Sequence, residues 1–394
     1  MTKVHFVYNK GIQLKTPQRI THEIAKRVGK HYPIAVYDPG EKGTIHPADG
    51  DILLGHPSRF DDSSLFNRAF RESGWSKRIV FCPFSHGMPL DGAGIDPLVE
   101  EADAYLALCG PYWFETMDRS LFSHWSYKTM RCDLGIDLHD YPRIKTQFNP
   151  PGQRRFVYIG NAGAMKGVDY FCELSEANPG LDFHWIGGTG QRARPSGTLR
   201  RNYFRIERRL LGGPVTAHGA ANWRSPAFRN LVSSFDFLLT CGRSDSNPTT
   251  VLEATAWGLI PIATQQCGFP GGDWLPMIPL DNVKEAGAIL HRLNTCPEAE
   301  LLLRQEAGLK QLRESYTWDH AAQQVLACIE SPTPTPPLDA QWIAAKARNQ
   351  AVLRAIVRHY KRAQVIEDRF HALKSLLRRK LATLASYDSG SRRS

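Results

Sequence analysis

The stretch from Arg243 to Thr264, RSDSNPTTVLEATAWGLIPIAT, holds the residue types and spacing best suited to chemistry. Asn247 reads as an N-cap and Pro248 as the first residue of a helix running to Trp257, with Gly258 as its stop. Such a helix points the N–H groups of Thr249 and Thr250 out of its positive end, a seat for phosphate. Asp245 precedes that end by one loop, and Glu253 comes eight residues later, one to two turns inside the helix. Two carboxylates able to accept hydroxyl hydrogen bonds thus bracket an anion-binding terminus. A ligand with a diphosphate between two polyols, a sugar nucleotide, matches that arrangement. N-capped helices with an early acid are common, so the elements around the segment carry part of the weight.

Those elements alternate. In the first 150 residues Val4–Tyr8, Ile34–Tyr37, Asp51–Leu54, Arg78–Phe81 and Ala104–Leu108 are short apolar runs, and Thr16–Val28 has a helical pattern. Runs of four to six residues without polar alternation fit strands of a parallel sheet covered on both faces. Lys145–Arg154 is polar and Pro-rich and reads as a hinge. The alternation then restarts with strands at Phe156–Ile159, Phe183–Ile186, Phe235–Leu239 and Leu259–Ala263, and helices at Gly167–Glu176 and Pro248–Trp257. The pattern predicts two α/β domains, 1–150 and 151–330, each doubly wound and Rossmann-like, facing a cleft. A stiff Pro-rich linker, 331–337, leads to a helical extension over 338–394.

Composition bounds the remaining classes. The chain has 394 residues, 42 % hydrophobic and 22 % charged, which suits a globular protein with a substantial core. Its net charge of +10 is concentrated: residues 341–394 carry 13 Lys/Arg against 3 Asp/Glu, while residues 1–340 are balanced. A basic tail on a neutral body argues against nucleic acid as the partner. Within 341–385, Ile356, Ala363, Phe370, Leu377 and Leu384 recur every seven residues among Arg and Lys. That face is expected to pack on the body or a partner helix, with peripheral contact to an anionic membrane as the alternative. Eight scattered cysteines without a Cys-x-x-Cys spacing read as reduced buried thiols, and no apolar run has signal-peptide or membrane-spanning length. A cytoplasmic protein, peripheral at most on the inner membrane face, is the expectation.

The Arg243–Thr264 segment resembles the signature of the family 4 retaining glycosyltransferases, which have the GT-B fold: an acid, seven residues, Glu, then a helix ending in Gly and a Pro-containing strand. Asp245, Glu253 and Gly258-Leu259-Ile260-Pro261 stand at those positions. The resemblance implies that Asp245 contacts the transferred sugar, Glu253 the ribose hydroxyls, and backbone N–H groups around Asn247, Thr249 and Thr250 the diphosphate. Phe156–Asn161 with Met165-Lys166-Gly167 after it is similar to the family's first strand and loop of the nucleotide domain, which places Lys166 on the diphosphate beside Gly160 and Asn161. Asp182–Gly190 and Val215–Gly219 match two further strands whose loops, with Gly188 and His218, flank base and ribose. Val80–Gly87 resembles the strand whose His reaches the donor sugar, hence His86; His56 comes after a second such strand. Arg131–Leu138 is similar to the family's strand before the hinge, and Tyr316–Asp319 to the start of a late helix.

The activity implied by the resemblance is transfer of a sugar from a nucleotide-sugar donor, UDP-sugar favoured, to an acceptor hydroxyl, with retention and without metal. Lys166, Asp245 and His86 would be catalytic and the first domain would take the acceptor, a glycan, lipid or protein. Relatives usually carry Arg where this chain has Asn161 and Glu where it has Asp245, so a second cation is either missing or supplied from elsewhere, with Arg243 as the candidate. The same departures motivate another reading, a weakened GT-B protein serving as a membrane- or partner-binding scaffold. Gly160–Gly167 lacks the Gly-Lys-Ser/Thr ending of a nucleotide-hydrolase phosphate loop, and Asp49-Gly50-Asp51 reads as a turn rather than a metal pair. No cofactor or metal site is expected.

Overall fold

The computed structural model describes residues 2–10, 16–60, 62–188, 197–223 and 225–390, with backbone only at 164, 197–204, 367–368 and 370–390. Six parallel strands form the first sheet: β1 (Val4–Val7), β2 (Ile34–Tyr37), β3 (Ile52–Gly55), β4 (Lys77–Pro83), β5 (Ala104–Leu108) and β6 (Thr129–Cys132), in the order β2-β1-β3-β4-β5-β6. Five more form the second: β7 (Arg155–Ile159), β8 (Asp182–Ile186), β9 (Thr216–Ala217), β10 (Phe237–Thr240) and β11 (Ile260–Ala263), in the order β11-β10-β7-β8-β9. Every pairing within both sheets is parallel, and β1, β3, β5 and β10 are buried along their whole length. Continuous apolar strands result from helices covering both faces.

Most expected elements stand within a residue or two of where the apolar runs put them. The first helix is Thr16–Val28, and Gly258 ends the Thr249–Trp257 helix in the left-handed conformation at φ 93°. Asp51, at the buried base of the first sheet, accepts from the N–H groups of Ala48 and Lys3 and from His5 Nε2. All eight cysteines are buried free thiols.

Lys145–Arg154 is not the free hinge that its polar composition predicts. Lys145 and Arg154 are buried, and the segment is fastened into the second domain around Asp236. Asp236 accepts from the Asn149 N–H at 2.8 Å and the Arg155 N–H at 2.9 Å, and pairs with Lys145 Nζ at 3.0 Å. The chain crosses between domains earlier, where Ile136 donates to the Tyr316 carbonyl and bridges to Thr317. Two crossings thus run side by side.

The second of them corrects the boundary at 330. The helix Trp318–Glu330 packs back on the first domain, against the Thr16–Val28 helix and β6. Lys77 Nζ holds its end by donating to the carbonyls of Cys328 and Ser331. Beyond the linker, one helix runs from Ala340 to Gly390, and its first half lies on the first domain. Leu353 is buried there and Ile356 packs beside it, but Ala363 is exposed. The side chains of Phe370, Leu377 and Leu384 lie outside the described residues. No helix among the described residues is long and apolar enough to cross a membrane.

Candidate functional site

In parallel α/β sheets, loops at the carboxyl ends of the strands form the crevice. Two such loops of the second domain are locked together. Gly167, after β7, has φ 65°, and a Cβ there would lie 1.7 Å from the Cys241 carbonyl oxygen, after β10. Only glycine fits this approach. Arg243 and Ser244 both donate their N–H groups to the Met165 carbonyl. The clamp brings Lys166 Nζ to 2.7 Å from Asp245 Oδ2, with the lysine half-exposed and the aspartate more covered.

Arg243 is not a free second cation. Its guanidinium turns away to Asp281 at 2.7 Å and Asp169 at 3.1 Å, and these carboxylates raise its pKa further. Asn247 is not the N-cap either. Pro248 takes that position with an extended ψ of 120°, and no side chain caps the helix. Asn247, one residue too early, is 4 % exposed with neither its Oδ1 nor its Nδ2 paired within the protein. A buried amide left open at both ends beside a helix terminus is a place for an outside hydrogen-bond partner. Val251 N–H is taken by the Pro248 carbonyl, so the Thr249 and Thr250 N–H groups are the helix's open donors.

Glu253 lies in the second turn. Its Oε1 accepts from the Tyr141 hydroxyl at 3.1 Å, which in turn accepts from Arg19 Nη1 at 3.0 Å. Tyr141 is stacked on Trp223, the rings 5.5 Å apart and 8° from parallel. Burial raises the Glu253 pKa above the usual glutamate value, with Tyr141 and Arg19 pulling the other way. Thr16, Arg19, Tyr141, Trp223, Thr249 and Glu253 line a cleft of about 290 Å³ between the domains.

The first domain closes the opposite side. Gly110 N–H donates to the Ser246 carbonyl, and Tyr112 N–H to that of Gly268. A Cβ on Gly110 would lie 2.0 Å from the Gly268 oxygen, so the domains touch backbone to backbone. Trp113 Nε1 donates to the Asp245 carbonyl at 2.7 Å, and the imidazole of His86 meets the same indole edge-on at 4.7 Å. His86 and Asp245 therefore share Trp113 as a wall. Thr116 gives its hydroxyl proton to the Tyr112 carbonyl, so it accepts from His86 Nε2 at 2.7 Å, leaving Nδ1 as an acceptor. Burial lowers the His86 pKa, which keeps the ring neutral. His56, after β3, is pushed down to about 4 by burial and meets Tyr8 edge-on, with Nδ1 at 2.7 Å from the Pro57 carbonyl.

Gly160, Asn161, Gly188 and His218 gather at the ends of β7, β8 and β9. Gly160 exchanges bonds with Ile186 and Trp185, Gly187 donates to Gly219, and Asn161 and His218 are exposed. His218 Nε2 is already paired with His184 Nδ1 at 3.1 Å. Thr189 and Gly190, expected on the same loop, lie outside the described residues. Arg19, Trp113, Tyr141 and Trp223 were not singled out by sequence reasoning, and no local motif marks them.

No family model matches the chain, and no curated protein does. Solved structures do. An E. coli structure described as trehalose-6-phosphate bound with UDP-2-fluoro glucose superimposes with a TM-score of 0.62 at 11 % identity, covering 84 % of this chain and 100 % of that one. A sucrose-phosphate synthase from Thermosynechococcus elongatus gives 0.60 at 14 % identity, covering 82 % and 97 %. A glycosyltransferase from Rickettsia africae ESF-5 gives 0.58 at 11 %, covering 83 % and 97 %. The chain has the GT-B fold, two Rossmann-like domains with a helical extension. Of these three neighbours the Rickettsia africae structure is described as a glycosyltransferase.

Proposed function

We propose that this chain is a retaining, family 4-like glycosyltransferase that moves a sugar from a nucleotide donor, UDP-sugar favoured, to an acceptor hydroxyl. The observation that carries the reading is the interdomain cleft lined by the open Thr249–Thr250 helix terminus and Glu253, with the Lys166–Asp245 pair at the loop that leads into that helix. The diphosphate takes the Thr249 and Thr250 N–H groups, with the unpaired Asn247 amide beside them, and Lys166 swings from Asp245 to it. Glu253 accepts the ribose hydroxyls through the oxygen that Tyr141 leaves open. Gly160, Asn161, Gly188 and His218 border the base, while Arg243 braces the loop. Asp245 and the Nδ1 of neutral His86 hold sugar hydroxyls.

In the reaction the bond from the anomeric carbon to the diphosphate oxygen breaks, its electron pair leaving with the diphosphate. The acceptor oxygen bonds to the same face, and its proton passes to the departing phosphate oxygen. Lys166 and the helix terminus oppose the growing charge, so this reading calls for no metal. The acceptor enters over the first domain, and the long basic helix brings the protein to the inner face of a membrane.

Thermal shift with UDP, GDP, ADP and their sugar conjugates, with and without magnesium, tests this directly. One nucleotide at 100 times its Kd stabilises by about 2.7 kcal/mol without magnesium. Glu253→Ala weakens that nucleotide by about 10- to 100-fold, the worth of a charge-assisted hydrogen bond. Absence of any shift on folded protein returns the chain to the scaffold reading.

The raised Glu253 pKa predicts a pH effect of definite sign. The ionised carboxylate accepts ribose hydroxyls, so nucleotide Kd rises as pH falls, starting above the ordinary glutamate value of 4.5. In Glu253→Gln that component of the profile flattens. Calorimetric titration from pH 7.5 down to 5 reads it, and matching profiles for the two proteins would remove Glu253 from the ribose site.

A further inference from the structure

A second cavity, of about 500 Å³, shares no lining residue with the crevice and lies between the first domain and the long helix Ala340–Gly390. Its floor is apolar, made by Ala93, Pro97, Leu98, Leu353, Val357 and the ring of Phe60. Its helix wall is cationic: Arg354, Arg358 and Lys361 succeed one another at spacings of four and three, on one exposed face beside Leu353 and Val357. None of the three has a carboxylate partner among the described residues. The acids on the opposite wall are already spent. Asp62 pairs with Arg71 at 2.8 Å, and buried Asp96 accepts from His124 and Trp125.

One end of the cavity is held open by an unusual backbone. Phe60 has φ 63°, a left-handed conformation that a bulky side chain rarely adopts. Its ring is packed over Gly94, where a Cβ would lie 2.8 Å away, and stacks on Tyr360 at 5.0 Å. Among the described residues this pair is the last ring contact of the helix with the body, and Tyr360 stands one residue before Lys361. Beyond it the helix carries exposed Val365 and Ile366, 51 % and 69 % accessible, on a segment rich in Lys and Arg.

We propose that this groove seats one anionic phospholipid, its acyl chain on the Leu353–Val357 floor and its phosphate on Arg354, Arg358 and Lys361. A free phosphate would use the cations but not the apolar floor, and a neutral lipid the floor but not the cations. Only a ligand carrying both chemistries satisfies both walls. The exposed apolar residues beyond Lys361 place the groove mouth at a lipid surface and make the phospholipid part of a membrane rather than a soluble metabolite.

Calorimetry with monomeric lysophosphatidylglycerol, lysophosphatidylcholine and glycerol phosphate separates these chemistries on the full chain. The expected result is one site for lysophosphatidylglycerol, with at least tenfold weaker binding of the other two. The triple variant Arg354→Gln, Arg358→Gln, Lys361→Gln weakens it by about 100-fold, since each cation near an anionic surface contributes about a factor of five. All three side chains are exposed, so an unchanged melting temperature is the control. Flotation with phosphatidylglycerol vesicles should fall in parallel. Equal binding of the choline and glycerol lipids, or a triple variant that binds like wild type, overturns the proposal. So does wild-type protein that binds neither lipid nor vesicle, which would assign the groove to an acidic protein segment. None of these readouts needs a sugar nucleotide, so this proposal and the transferase reading stand or fall separately.

Discussion

Lys166→Ala is expected to slow sugar transfer by about 100- to 1,000-fold, the usual cost of losing one preorganised charge at a developing anion. In the proposed transfer the departing diphosphate gains charge as the anomeric carbon–oxygen bond breaks. Lys166 Nζ, held 2.7 Å from Asp245, is the cation the clamped loops bring to that place, because Arg243 is committed to Asp169 and Asp281. The lysine is half-exposed, so stability should change by less than about 1 kcal/mol, as for surface ion pairs. Single-turnover consumption of donor, alongside nucleotide Kd, separates the roles. A large fall in rate with a smaller change in Kd marks stabilisation of the transition state rather than of bound donor. A rate within threefold of wild type would take Lys166 out of the reaction.

Asp236→Ala should produce the largest loss of stability. The carboxylate is fully buried and faces two buried cations, Lys145 at 3.0 Å and Arg154 at 3.9 Å. Arg154 has no hydrogen-bond partner on any of its three guanidinium nitrogens; Phe148 lies under it at 5.5 Å. Removing the anion leaves two uncompensated charges in the interior and orphans the Asn149 and Arg155 N–H groups. Breaking one buried pair costs about 3–5 kcal/mol, which for a domain of this size lowers Tm by about 6–20 °C. Calorimetric melting checks this, and a Tm within 2 °C of wild type would show that the two cations do not depend on Asp236. Because Asp236 fastens the segment after the crossing, the variant should also lose nucleotide affinity.

That segment shows where sequence reasoning met its limit. Lys145–Arg154 is polar and Pro-rich, the composition of a linker, and its partner Asp236 lies more than 80 residues further on. The same holds for Glu253. Its place in the second turn of a helix was legible, but the Arg19–Tyr141 relay that holds it reaches across both domains. Asn247 failed for a local reason. Pro248 adopts an extended ψ, which moves the cap one residue onward and leaves the amide buried and unpaired.

By itself the sequence determined the two series of parallel strands, the Thr16–Val28 helix, a helix over Pro248–Trp257 and its Gly258 stop. These depend on apolar period, glycine conformation and short-range spacing, which the chain carries locally. Tertiary structure alone decided which charges are free and which are spent. Arg243 and Lys166 are both cations near one loop, yet the first is bound by two carboxylates from other segments and the second by one beside the helix terminus. Long side chains choose partners within a few ångströms of space, and the meeting of remote loops sets that space.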